Sequence, residues 1–155
     1  MLALNALTPS SSTPQPSQGC GDAVHHQFDF WLGDWDVSTP DGKPAGRSHI
    51  ESFAGGCGIA EHWTGAKGGG GRSLNAYDPA DRQWHQFWVG TGGSVLHLAG
   101  SFADGVMTLQ SKGSRIRWTH NADGTVRQVW DISQDEGQTW KTSFDGKYVH
   151  AQTAK

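Results

Sequence analysis

Arg115-Ile116-Arg117-Trp118-Thr119-His120, then Asn121-Ala122-Asp123-Gly124, then Thr125-Val126-Arg127-Gln128-Val129-Trp130-Asp131-Ile132 reads as strand, turn, strand. Ile116, Trp118 and His120 share one face, against Arg115, Arg117 and Thr119. Val126, Gln128, Trp130 and Ile132 oppose Arg127, Val129 and Asp131. A period of two sorts side chains onto the two faces of a sheet, whereas a helix repeats every 3.6 residues. Between the runs, Asn121-Ala122-Asp123-Gly124 supplies hairpin-turn chemistry.

The same texture extends in both directions. Turn signals recur at Pro40-Asp41-Gly42, Gly55-Gly56, Lys67 with its four glycines, Asp78-Pro79-Ala80-Asp81, Gly90-Thr91-Gly92-Gly93, Asp104-Gly105 and Asp135-Glu136-Gly137. They bound about ten candidate strands, at 34–38, 46–54, 58–65, 72–77, 83–89, 94–102, 105–111, 115–120, 125–132 and 139–150. The last is expected to break at Asp145-Gly146. One helical turn is expected near residues 27–32, and no long amphipathic helix. Short connections pair neighbouring strands antiparallel. A meander of that size leaves two open edges unless the sheet closes on itself. The expectation is an all-β, up-and-down antiparallel barrel, with a two-sheet sandwich as the alternative.

Composition bounds the rest. The 155 residues suit one domain with a real core, and the net charge is −3. The absence of a basic stripe argues against a nucleic-acid partner. No apolar run reaches the roughly 20 residues a membrane helix needs. Residues 1–21, rich in Pro, Ser and Gln, read as a disordered linker or the remnant of a targeting segment, and residues 22–155 as a single barrel domain. That lead favours a periplasmic or secreted location over a cytoplasmic one. Cys20 and Cys57 lack metal-ligand spacing; two free thiols is the plainer expectation, and a bridge from lead to domain the other. A homodimer is compatible with the chain.

Eight Trp against two Tyr and two Met is unusual. Placing the indole-bearing faces inside puts Ile59, Glu61 and Trp63 inward, then Trp84, Gln86 and Trp88, then Ile116, Trp118 and His120, then Val126, Gln128 and Trp130. Phe87 and Val89 then point out. Ser73, Asn75 and Tyr77 join the interior by the same logic. A dry core seldom holds so many polar groups, since each costs about 1–3 kcal/mol when unpaired. Either Glu61, Asn75, Gln86 and Gln128 satisfy one another and buried water, or they line a ligand cavity with Trp63, Trp88, Trp118 and Trp130.

Glu61 is the candidate for chemistry. Beside Trp63 its charged form is disfavoured, and a carboxyl tuned toward neutrality serves as general acid or base. Tyr77 is its expected proton partner. No nucleophile motif and no phosphate loop is present; the run of glycines at 68–71 lacks the required ending and reads as a hairpin loop. The eight His form no metal signature, and His62 and His85 fall on the outer face, so no metal site is expected.

The run Phe28-Asp29-Phe30-Trp31-Leu32-Gly33-Asp34-Trp35-Asp36-Val37 resembles the opening of a family of uncharacterised bacterial domains of unknown function. Gly56-Cys57-Gly58-Ile59-Ala60-Glu61-His62-Trp63, Ser73-Leu74-Asn75-Ala76-Tyr77-Asp78 and Gln83-Trp84-His85-Gln86-Phe87-Trp88-Val89 also resemble it. The resemblance implies a lipocalin-like (calycin) barrel and no particular activity. Gly33 and Trp35 are similar to the G-x-W of the lipocalin superfamily, which implies that Trp35 plugs the barrel base beneath Arg127 or Arg117. Nitrobindin-type haem barrels share that shape and use a late His. His150 is the only candidate, but the Gly-rich continuation after Trp35 is missing, so no haem or other cofactor is expected. Ser133-Gln134-Asp135-Glu136-Gly137-Gln138-Thr139-Trp140 resembles an Asp-box, which implies a structural turn held by Asp135, Gly137 and Trp140.

The function expected is binding of a small hydrophobic or amphipathic molecule. The alternative is a cofactor-independent isomerase, cyclase or lyase working through Glu61 and Tyr77.

Overall fold

A computed structural model describes residues 19–152. Ten strands form one closed antiparallel barrel: β1 (Gly33–Ser38), β2 (Pro44–Phe53), β3 (Gly58–Gly65), β4 (Gly70–Asp78), β5 (Gln83–Gly90), β6 (Val95–Ala103), β7 (Val106–Gln110), β8 (Ser114–His120), β9 (Val126–Ile132) and β10 (Lys141–His150). Each strand pairs with its neighbour in sequence, and β10 closes on β1 with Trp35 opposite His150. Closure excludes the sandwich, because no edge is left to start a second sheet. Among the described residues no helix is long and apolar enough to cross a membrane. Most of the lead read over residues 1–21 lies outside the described residues.

β10 does not break. It runs unbroken past Asp145-Gly146, and its irregularity lies at Ser143, where the register slips between Thr142 and Phe144. Gly146 is small for packing: a Cβ there would stand 2.6 Å from the ring of Phe144. The two cysteines are not free. Cys20 and Cys57 form a disulfide, tying the lead to the β2–β3 connection.

One end of the barrel is plugged. Two 3-10 turns, Ala23–His26 and Asp29–Trp31, carry the chain across it. Phe28 stacks on Trp31 with centroids 5.0 Å apart and meets the edges of Trp84 and Trp118 at 5.8 and 5.1 Å. All four rings are buried. Trp35 donates its indole N–H to the Trp31 carbonyl at 2.9 Å.

Neither Arg127 nor Arg117 covers Trp35. Arg127 is held by Asp145, and Arg117 by the buried Asp131, which Arg115 also reaches. The partner of Trp35 is His150, stacked at 3.8 Å. Gly33 makes room for that stack: at φ 127° it takes a backbone that L side chains rarely adopt, and a Cβ would lie 3.2 Å from the imidazole. His120, read as interior, is exposed at the last position of β8 and stacks on Phe30.

Candidate functional site

At the other end no segment enters among the described residues, and a cavity of about 360 Å³ remains. Its rim is Gly70, Gly90, Thr91, Gly92 and Ser94, and its walls include Trp63, Trp88, Leu96, Trp130, Phe144 and Tyr148. The space exists because two indoles lie back against the barrel wall. A Cβ at Gly46 would stand 2.7 Å from the Trp63 ring, and one at Gly71 would overlap the Trp88 ring more closely still. Glycines on the neighbouring strands are the recesses these rings occupy.

The floor is polar and ordered by hydrogen bonds. Glu61 sits opposite Ser73, which sits opposite Trp88. Asn75 Nδ2 donates to the Ile59 carbonyl at 3.2 Å. A carbonyl only accepts, so the orientation of this amide is determined, and the rest of the chain of bonds follows. Asn75 Nδ2 also donates to Ser73 Oγ at 3.0 Å, and Asn75 Oδ1 accepts from Gln86 Nε2 at 2.9 Å. Ser73 Oγ passes its own proton to Glu61 Oε2 at 3.0 Å, while Ser48 Oγ donates to Oε1 at 3.1 Å. Across the cavity, Tyr148 donates to Gln128 Oε1 at 2.5 Å.

Burial pushes the Glu61 carboxyl up to about 7, against the two serine bonds that favour its charged form. The same burial, with the nearby Glu61 charge, holds the Tyr148 phenol well above its ordinary value. At neutral pH a carboxyl so placed exists in both protonation states, so it can bind a cation, donate a hydrogen bond or exchange a proton.

Glu61, Trp63, Gln86, Trp88, Gln128 and Trp130 come together around this space. Asn75 stands one layer behind and orients Gln86 and Ser73. Trp118 is spent on the plug, where Phe28 and Trp31 cover it. Tyr77 is not the partner of Glu61: it pairs with Trp84 and packs against His25 near the plugged end. The phenol that faces the cavity is Tyr148, and Phe144 joins it. Both lie on the inward alternation Phe144-Gly146-Tyr148, a signal that the expected break at Gly146 hides. Ser48 carries the same kind of signal, two residues before the inward Ile50.

The remaining candidates are structural. A haem held by His150 does not fit, because that imidazole is stacked on Trp35 by the plug and is not among the residues lining the cavity. Outside the barrel, His85 bonds Asp81 at 2.9 Å and His97 at 3.2 Å, and His62 lies by Arg72 instead. Asp78, Asp81 and His85 bring ligand-type atoms within 4.8 Å of one another, but His85 already has a partner at each ring nitrogen. In the loop after β9, Asp135 accepts from Thr139 Oγ1 at 2.6 Å, from Thr139 N at 2.8 Å and from Ser133 Oγ at 2.7 Å, which holds its carboxyl down at about 2. Gly137 there has φ 91°, and Trp140 lies beneath it with Arg115 over its face at 4.4 Å.

No protein-family model matches the chain, and no match to it was found among curated proteins.

Proposed function

We propose that this barrel binds a small hydrophobic or amphipathic molecule in the cavity between Trp63, Trp88 and Trp130, with its polar end on Glu61, Gln86 and Gln128. The observation that carries this reading is the combination of an open, aromatic-walled space and a buried floor whose bonds run to one carboxyl. Ligand sites are mostly apolar, with a few placed polar groups. The closed barrel, the opening motif over residues 28–37 and the Gly33–Trp35 pair support kinship with lipocalin-like bacterial domains. The Cys20–Cys57 bridge supports an oxidising compartment such as a periplasm or the cell exterior.

Two measurements test the reading. Native mass spectrometry of the protein purified from its own host should show a retained small molecule. The neutral dye N-phenyl-1-naphthylamine should bind with enhanced fluorescence, and Trp88→Ala should weaken it. A protein that carries nothing and leaves the dye dark, as it is in water, at every concentration tried would remove the reading.

The position of Glu61 near neutrality, at the lining of the cavity, favours one second reading, an isomerase, cyclase or lyase with Glu61 as acid or base and Tyr148, not Tyr77, as the phenol across the cavity from it. Glu61→Gln separates the two: a binder keeps much of its affinity for a neutral ligand, whereas an enzyme loses about 10²–10⁴-fold in turnover.

A further inference from the structure

The hydrogen bonds under the cavity have a direction. Because the Ile59 carbonyl orients the Asn75 amide, each donor points onward, from Gln86 to Asn75, to Ser73, to Glu61. Ser48 points at the same carboxylate from the other side. Glu61 is the terminal acceptor of this chain, which favours its ionised form. An ionised carboxylate has about four acceptor positions, and the two serines fill two of them. Tyr148 takes none, since its hydroxyl donates to Gln128.

No described residue lining the cavity supplies a countercharge. Among the described residues Glu61 and Tyr148 are the only titratable groups lining the cavity, and no Lys, Arg or His does so. Several cations of the wall are engaged outside, Arg115 and Arg117 with Asp131, Arg127 with Asp145 and Arg47 with Asp36. A buried charge without a partner is costly, and the faces of Trp and Tyr attract a cation within about 6 Å of the ring centre.

We infer that the cavity's ligand is an organic cation, a protonated or quaternary amine on an apolar body, with its head against Glu61 and its flanks against Trp63, Trp88 and Trp130. The inference rests on the ligand-binding reading above and narrows it. A carboxylate or phosphate ester meets no positive group here, and a neutral ligand leaves the carboxyl unbalanced.

The test is calorimetric titration of the full chain at about pH 8, where Glu61 is mostly ionised, with phenethylamine, 2-phenylethanol, phenylacetate and phenethyltrimethylammonium. The two cations should bind at least about 10-fold tighter than the alcohol, and phenylacetate should be weakest. In Glu61→Gln the advantage of the cations should shrink to within about threefold. The quaternary ion cannot titrate, so its affinity for the wild-type protein reports Glu61 without any variant. It should rise from about pH 5.5 to about pH 8 and then level off. Ser48 and Ser73, which bond the carboxyl from β2 and β4, and Gln86 and Gln128, which line the same cavity from β5 and β9, do not titrate there, and Tyr148, held well above its ordinary value, stays protonated. Equal affinity for alcohol and amine, a preference for phenylacetate, or a flat pH profile overturns the cation. If the neutral dye still binds in that case, the binding reading survives without it; if nothing enters, both fall together.

Discussion

Trp84 and Trp88 lie on one strand, on one face, four residues apart, and meet opposite fates. Trp84 is 1% exposed, wedged against the edge of Phe28, with its N–H on Gln27 Oε1 at 3.2 Å. Trp88 is half-buried and lies over Gly71, with open space before it. The difference is in the neighbours and not in the residue. At one end a chain segment brings Phe28 and Trp31 in between the strands. At the other, the glycine-rich loops bring in no such ring among the described residues. An aromatic lining becomes a core where side chains enter to meet it and a pocket where they do not.

The largest expected effect sets the two indoles against each other. Trp84→Ala should cost about 3–5 kcal/mol in urea unfolding, because it opens a void in packed rings. Trp88→Ala should cost about 1–2 kcal/mol, because its ring already faces a cavity and loses less contact. Equal costs would mean that the open end is packed in solution, and the proposed pocket would lose its basis. Second in size is the bridge that holds the plug segment down. Cys20→Ser with Cys57→Ser should lower stability by about 2–4 kcal/mol. Dye binding at the far end should persist at temperatures where the double variant remains folded. Coupled loss of both would show that the ends are not independent.

The fold was legible because alternation and turn chemistry are local. Ile116 and Trp118 announce their face within one strand, and Gly105, Gly124 and Gly137 mark turns at positive φ. The level of a residue along the barrel is not local. Tyr77 and Glu61 do share the inward side, but Glu61 pairs with Ser73 and Tyr77 with Trp84, so the register puts them at different heights. Gly146 misled for a related reason: glycine marks turns and also marks places where a ring lies on the backbone, and only the partner, Phe144, tells which. Gly46 and Gly71 carry the same double meaning, and they are what keeps the cavity open. The partner of Trp35 comes from residue 150, too far along the chain for any pattern to reach. The disulfide was equally out of reach, since two cysteines 37 residues apart leave no spacing signature.

The smallest effect concerns charge at the open end. Glu61 ordinarily titrates near 4.5 and stands at about 7 in the folded chain. Between those values the folded state binds more protons than the unfolded state, so stability must fall as pH rises from about 4.5 to about 7 and level off above. The full drop is about 3 kcal/mol at most for a group 6% exposed. Glu61→Gln cannot ionise, so the variant should match the wild-type protein below pH 4.5 and exceed it by about 2–3 kcal/mol at pH 8. Other groups give the wild-type curve slopes of their own, which is why the difference between the two proteins is the quantity to read. His49 is raised by Asp34 and loses its stabilisation as pH climbs, in the same direction as Glu61. Asp131 is lowered, because its bonds to Thr142 and Arg115 and the charges of Arg117 and Arg115 together outweigh its burial, and it loses its stabilisation only as pH falls through the acid range. A saturating organic cation should erase the gain from Glu61→Gln at pH 8, because the carboxylate then has its countercharge. A gain that persists in the presence of phenethyltrimethylammonium would show that the cation does not sit on Glu61, and that the open end takes its ligand by its aromatic walls alone.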